Sequence, residues 1–254
     1  MVWPTERAKR SSPSSDVIRT VSETGSTNAD LLDTVCRGEA SAEGEWLVAD
    51  RQSAGRGRQG RTWFDGTGNF MGSTVVHLRA DDPSPATLSF VAGLAAYEAV
   101  KPFVPGNIDL MLKWPNDLLL AGAKVNGVLL ERAENVIVVG IGVNLAAAPT
   151  LPDRKTAAIA DHAPAPDRDL FAQTLAGAFS DELGRWRMYG LPPLLRRWES
   201  AAHPKGTSLS VQPPGEMCVK GCYDGLGKDG ALLLRLPGGS RRAIHAGDVM
   251  LGEG

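Results

Sequence analysis

The stretch ADRQSAGRGRQGRTW, residues 49–63, decides how the rest of the chain is read, because it has neither helical nor strand period yet concentrates arginine and glycine. It follows a short apolar run, WLVA at 46–49, that reads as a strand. Arg56, Arg58 and Arg61 put several positive charges on a backbone that Gly55, Gly57 and Gly60 leave free to approach a ligand closely. The amides of such a loop can form an anion-binding concavity and its guanidinium groups can grip phosphate oxygens in pairs, while the indole of Trp63 offers a stacking face. A GRGR segment alone is as readily a solvated basic loop. Its neighbours decide between the two.

Those neighbours are STN at 26–28, KWPND at 113–117, KVNGVLLE at 124–131 and GIGVN at 140–144. Together with QSAGRGRQGRTW from Gln52, and in this order from about Thr20 to the C-terminus, they resemble the biotin protein ligases. The resemblance implies an α+β fold: a mixed β-sheet catalytic domain with helices packed on it, followed by a small SH3-like β-barrel. It implies biotin contacts from Ser26, Thr27, Asn28, Gln52, Gly55, Arg56, Gly57, Arg58, Lys124, Gly127, Gly140 and Gly142. Nucleotide contacts would come from Arg58, Arg61, Trp63, Lys113, Asn116 and Asn144. Arg58, Lys113, Asp117 and Lys124 would carry the catalysis, with Asp117 near a metal or the reacting amine. ATP and Mg2+ are the implied cofactors, and a biotin carboxyl carrier protein the implied partner.

Composition sets the bounds within which this holds. With 254 residues and 43% hydrophobic content, the chain is long enough for one large domain or a medium and a small one. A net charge of -2 argues against a protein that coats nucleic acid, so the arginines of the loop are a local concentration. Cys36, Cys218 and Cys222 are odd in number and form no CxxC pair, and the four histidines lie far apart, which points to idle or buried thiols rather than a disulfide framework or a zinc site. The start, MVWPTERAKRSSPSSD, lacks an apolar signal segment, and no run is long enough to span a membrane. The expectation is a cytoplasmic protein with a disordered tail over 1–16, a catalytic domain over 17–203 and the barrel over 206–254. Roughly twenty residues precede the enzyme domain, too few for a winged helix, so DNA binding is not expected. A monomer and a homodimer are both compatible with the sequence.

Local patterns supply the elements. Residues 17–21 alternate as a strand, and Ser26 or Thr27 caps a helix through Leu31, Leu32 and Val35 that ends near Gly38. A strand at 69–78 leaves the arginine loop, and Pro85 opens a helix carrying Leu88, Val91, Ala92, Ala95 and Ala99. Runs at 109–114, 118–121, 125–132 and 135–143 read as strands of one sheet with hairpin turns between them. Within these, turn chemistry and a Lys–Asp ion pair would explain KWPND as well as catalysis would, and Glu131 reads as structural. VIVVGIGVN lacks the third glycine of a dinucleotide fingerprint, with Leu145 in its place, so its glycines mark close approach of a ligand or backbone. Residues 146–166 read as a surface connection, followed by helices bearing Phe171, Leu175, Phe179, Leu183 and Trp186 and then 192–201. From Gly206 onward, short apolar runs separated by PPG, GLGKDG and PGG read as the barrel, where Lys228 and Arg241 or Arg242 are exposed cations available to a partner or a phosphate.

The implied chemistry needs no side-chain nucleophile: a carboxylate attacks the α-phosphate of ATP, and a lysine amine of another protein then attacks the acyl carbon. Its demand is electrostatic, and Arg58, Arg61, Lys113, Lys124 and magnesium would meet it. The glycines make the arginine loop a lid that orders over the adenylate. A lipoate or octanoate ligase of the same fold is the alternative, disfavoured by polar groups suited to a compact ring at Ser26, Thr27 and Gln52. An RNA-binding module using GRGR and Trp63, and a nucleotide sensor without catalysis, are the readings from other classes.

Overall fold

The structure is a computed structural model that describes residues 18–252. The tail expected over 1–16, with Val17, lies outside the described residues. Two sheets form the frame. The larger has seven strands: β1 (Ile18–Thr24), β2 (Trp46–Gln52), β3 (Phe70–His77), β4 (Leu110–Lys113), β5 (Asp117–Leu120), β6 (Ala123–Ala133) and β7 (Val136–Val143). Their spatial order is β1-β2-β3-β7-β6-β5-β4. Only β1 and β2 run parallel, joined by the crossover helix α1 (Thr27–Cys36); every other neighbouring pair is antiparallel.

Both faces of this sheet are covered, which is why its central strands read as nearly unbroken apolar runs. On one face lies α2 (Leu88–Val100), buried almost all round because α3 (Arg168–Tyr189) and α4 (Leu191–Ser200) close over it. The expected helix start at Pro85 is a 3-10 turn, Pro85–Thr87, before α2 begins at Leu88. Thr87 Oγ1 there accepts a hydrogen bond from Trp186 Nε1 at 2.9 Å, tying α2 to α3. The opposite face carries α1, whose Leu31 packs on Leu47, Val75 and Val138. That face beyond α1 is where the candidate site lies.

The smaller sheet is antiparallel, with β8 (Ser208–Gln212), β9 (Val219–Leu226), β10 (Leu232–Arg235), β11 (Arg241–Ile244) and β12 (Asp248–Leu251) in the order β11-β10-β9-β8-β12. A C-terminal antiparallel sheet of this kind is consistent with the small barrel-like domain expected from the sequence. It does not have a core to itself. One apolar cluster runs from α2, α4 and β4 into Leu209, Val211, Tyr223, Leu232 and Val249. Trp114 Nε1 donates to Gly230 O at 3.1 Å across the seam. Gly230 is required there, since a Cβ would stand 2.5 Å from the Phe90 ring.

One expectation needs correction. Residues 146–166 are not simply a surface connection, because Ala157, Ala158 and Ile159 are buried. The β7 ladder on β6 ends at Asn126↔Val143, leaving the backbone of Lys124 open on that side. The connection closes the gap: Lys124 N donates to Lys155 O and Ala157 N to Lys124 O, both at 2.9 Å. The three cysteines are free, Cys36 and Cys218 exposed and Cys222 half-buried. Among the described residues no helix is long and apolar enough to cross a membrane.

Candidate active site

Strand register builds the site. One transverse row crosses the α1 face of the sheet through Met71, Gly142, Gly127, Asp117 and Lys113, each opposite the next on the neighbouring strand. A second row, two residues along, holds Ser73, Gly140 and Leu129. Gly127, Gly140 and Gly142 therefore share a face, and each lacks a side chain for a definite reason. A Cβ on Gly140 would be 2.3 Å from Asn28 Oδ1, and one on Gly142 would be 2.2 Å from Trp63 Cε2. On Gly127 it would be 2.9 Å from Trp63 Cζ3. The sequence assigned the ligand to this floor; what lies on it is the indole of Trp63.

At one end of the row a buried carboxylate meets two partly buried ammonium groups. Lys124 would point to the other face of β6 were the strand regular, but the ladder shifts between Leu118↔Asn126 and Leu119↔Lys124, leaving Val125 as an extra residue. That bulge reverses the alternation and brings Lys124 to the side of Asp117 and Gly127. Lys124 Nζ donates to Asp117 Oδ1 at 2.6 Å, and Lys113 Nζ lies 3.1 Å from Asp117 Oδ2. Burial alone would raise the Asp117 carboxyl, but the two ammonium groups outweigh it and hold the group below the usual carboxylate range. Lys113 Nζ also donates to Val249 O at 3.0 Å, so β12 of the small sheet supports this end.

The arginine loop closes over the row as a tight hairpin. Gly57 N donates to Arg61 O at 2.7 Å, and Trp63 N to Gly55 O at 2.9 Å. A 3-10 turn, Arg58–Gly60, forms its tip, with Gln59 at φ 57. The arginines separate rather than converge. Arg58 Nη1 donates to Asn116 Oδ1 at 2.7 Å, while Arg56 Nη2 lies 3.3 Å from Glu131 Oε2. Arg61 turns away from the row and pairs with Asp248 on β12, its Nη1 3.2 Å from Oδ1. Lys124 Nζ stands 6.0 Å from the Trp63 ring centroid, within reach of its π-face.

At the other end, the start of α1 carries neutral polar groups. Ser26 is the N-cap, and Thr27 and Asn28 follow it into the helix, all three buried. Thr27 N donates to Gln52 Oε1 at 2.8 Å, Thr27 Oγ1 meets Ser73 Oγ at 2.7 Å, and Ser73 Oγ donates to Asn28 Oδ1 at 2.6 Å. Asn28 Nδ2 then donates to Glu131 Oε2 at 2.8 Å. Several polar atoms near the floor are buried with no partner among the described residues: Trp63 Nε1, Asn126 Oδ1 and Asn144 Oδ1. Such atoms call for a ligand or an ordered water. Asn144 is otherwise anchored, its Nδ2 donating to Ala157 O at 3.0 Å.

The donor set does not fit a resident metal. Among the described residues no three of His, Cys, Asp or Glu converge, and both oxygens of Asp117 already face ammonium groups.

The chain has known relatives. Residues 24–146 match the Biotin/lipoate A/B protein ligase family. The biotin--[acetyl-CoA-carboxylase] ligase of Paracoccus denitrificans is 36% identical over 245 residues, spanning 91% of this chain and 99% of that protein. The chain belongs to the biotin protein ligase family. A ligase of the same name from Mycobacterium tuberculosis is 36% identical over 235 residues, spanning 91% of this chain and 87% of that protein. The structure of the Aquifex aeolicus biotin protein ligase in complex with biotin and ATP superposes with a TM-score of 0.79 at 26% identity, over 93% of this chain and 99% of that one.

As a biotin protein ligase, the chain gathers nearly all the residues singled out from its sequence around one sheet face, with Arg61 and the side chain of Arg56 at the margin. Of the barrel cations, Arg241 pairs with Asp224 and Arg242 with Glu216. Sequence reasoning passed over Ser73, Glu131 as a site residue, Asn126 and Asp248. A polar residue inside an apolar strand was the available signal for Ser73 and Asn126. Nothing local distinguishes Asp248.

Proposed function

We propose that the protein activates biotin with ATP to biotinyl-5'-AMP and transfers the biotinyl group to a lysine of a biotin carboxyl carrier protein. The observation that carries this reading is the polarity of the sheet face. Partly buried cations, Lys124, Lys113 and Arg58, stand at one end, and the neutral hydrogen-bonding groups at the start of α1 stand at the other, where β3 lies two strand spacings, about 10 Å, from the strand of Lys124 and four from that of Lys113. A molecule with an anionic tail and a compact, uncharged polar ring matches both ends.

In the first step a carboxylate oxygen of biotin forms a bond to the α-phosphorus, and the bond to the bridging oxygen breaks with release of pyrophosphate. Two anions must meet, so Lys124 beside the carboxylate and Lys113 and Arg58 beside the phosphates would offset the charge that gathers on the α-phosphate oxygens. Arg61 and Asn144 would add to the nucleotide contacts, and Trp63 would stack on the ligand once displaced from the glycine floor. Magnesium would enter as the counter-ion of the ATP phosphates rather than as a resident of the protein. In the second step the carrier lysine's neutral amine attacks the acyl carbon and AMP leaves. Asp117 would orient that amine; held below the usual carboxylate range, it is a weak proton acceptor and a strong electrostatic anchor. The site would serve a protein working in the cytoplasm, where ATP and carboxylases meet.

A lipoate or octanoate ligase would need an apolar slot where Thr27, Asn28, Gln52 and Ser73 are buried and hydrogen-bonded. Pyrophosphate release from MgATP tests the reading directly. It should require biotin and remain at background with lipoate or octanoate, and release driven equally by lipoate would overturn the assignment.

A further inference from the structure

Glu131 belongs to no step above, and on β6 it lies seven residues along from Lys124. It is nonetheless the end of a chain of hydrogen bonds whose directions can be worked out one proton at a time. A carboxylate only accepts, so the group 2.8 Å from Glu131 Oε2 must be the amide nitrogen of Asn28, which fixes the orientation of that side chain. Asn28 Oδ1 is then an acceptor, and the proton between it and Ser73, at 2.6 Å, belongs to Ser73 Oγ. A hydroxyl has one proton. Ser73, having donated, must accept at 2.7 Å from Thr27 Oγ1. The longer contact from Thr27 Oγ1 to Gln52 Oε1, 3.2 Å, competes poorly, and that oxygen already receives Thr27 N–H at 2.8 Å. Thr27 Oγ1 is left with lone pairs and no free proton.

We infer that Glu131 is a positioning residue that sets Thr27 Oγ1 as a pure acceptor, so that the site selects a ligand ring bearing an N–H at that point. The inference rests on the biotin reading, since a cyclic urea has ring N–H groups on both sides of its carbonyl. Three of the relay's members are buried, Ser73 at 1%, Thr27 and Asn28 at 3% exposure, so water does not reach the links between them; Glu131 at its end is partly exposed. Gly140 makes the geometry possible, because any side chain there would collide with Asn28 Oδ1. Arg56 Nη2 donates to the same Glu131 Oε2 at 3.3 Å. A glutamine at 131 would lift the constraint. Its amide can donate to a flipped Asn28, after which Asn28 donates to Ser73, Ser73 to Thr27, and Thr27 regains a proton to offer.

The test compares, by calorimetry on the full chain, binding of biotin with binding of its two cyclic carbamate analogues, in each of which one ring N–H is replaced by oxygen. A buried acceptor left facing an oxygen is costly, so the unaltered protein should reject one of the two isomers by a factor of about 100 or more. Glu131→Gln should narrow that ratio at least tenfold while the KM for ATP stays unchanged. Ser73→Ala breaks the relay at its middle with Glu131 intact, and should narrow the ratio in the same way. A merely structural Glu131 would weaken biotin and both analogues alike. A ratio unchanged in both variants, or no discrimination by the unaltered protein, overturns the relay while leaving biotin binding intact; an unaltered protein that does not bind biotin overturns the functional reading and the relay with it.

Discussion

Asp117 is the one carboxylate of the row, and it faces Lys124 and Lys113 at 2.6 and 3.1 Å while only 7% exposed. Replacing it with asparagine leaves two partly buried ammonium groups facing each other, a change that costs about 3 kcal/mol in comparable buried pairs. Urea unfolding at pH 7 should register a loss of that order; a midpoint within error of the parent would show that the lysines find other partners. The pH dependence follows from the sign of the shift. The folded pKa lies below the unfolded value, so the stabilisation is complete above about pH 4 and lost as pH falls through the folded value. Asp117→Asn should flatten that acid limb. Individual residues of the site were legible in the sequence where polar groups stand at the ends of apolar strands, as Lys113, Asp117 and Lys124 do. Ser73 and Glu131 were not, because their importance lies in whom they meet 45 and 103 residues away along the chain.

At the scale of elements, the strands and helices follow the apolar periods almost throughout, while two irregular features escape them. The bulge at Val125 depends on how β5 pairs with β6, and the hairpin form of the arginine loop depends on contacts to three other elements. Asn-Gly inside β6 was the faint local sign of the first. The loop's restraints are weak ones. Its pairs with Glu131 and Asp248 are partly exposed, with Arg56 44% and Arg61 40% accessible, and exposed ion pairs contribute about 1 kcal/mol or less each. Such a loop opens at small cost and would be held shut by a ligand that engages Arg58 and Trp63. Brief trypsin treatment should therefore cut the free protein within residues 56–61, and biotin with MgATP should slow that cleavage at least tenfold. Equal cleavage with and without the two substrates would mean that the loop is not a lid.

For the whole molecule, the composition change near 204–206 marks a change of architecture, yet the apolar cluster passes through it without interruption. The sequence cannot display this, because an apolar residue in a barrel strand looks the same whether it faces its own sheet or a neighbour. His203 sits in that seam, beside Lys113, Trp114, Trp198 and Tyr223 around a cavity of about 10 Å³, roughly one water's worth. Its Nε2 and the Tyr223 hydroxyl are buried without partners among the described residues. Burial, and then the charge of Lys113, push the imidazole below its ordinary value, so the folded protein keeps it neutral at a pH where the unfolded chain protonates it. Stability from this residue is complete above the unfolded value near pH 6.5 and declines as pH falls below it. Because the seam is a shared core, that decline should appear as one cooperative transition of both sheets rather than release of the small one. Urea midpoints at pH 7.5, 6.5 and 5.5, followed by tryptophan fluorescence and by far-ultraviolet dichroism, measure both points. The two signals should coincide at each pH, and His203→Gln should remove most of the fall between the first value and the last. Separate transitions would make the barrel an independent folding unit, and an unchanged slope in the variant would move the pH dependence to another group.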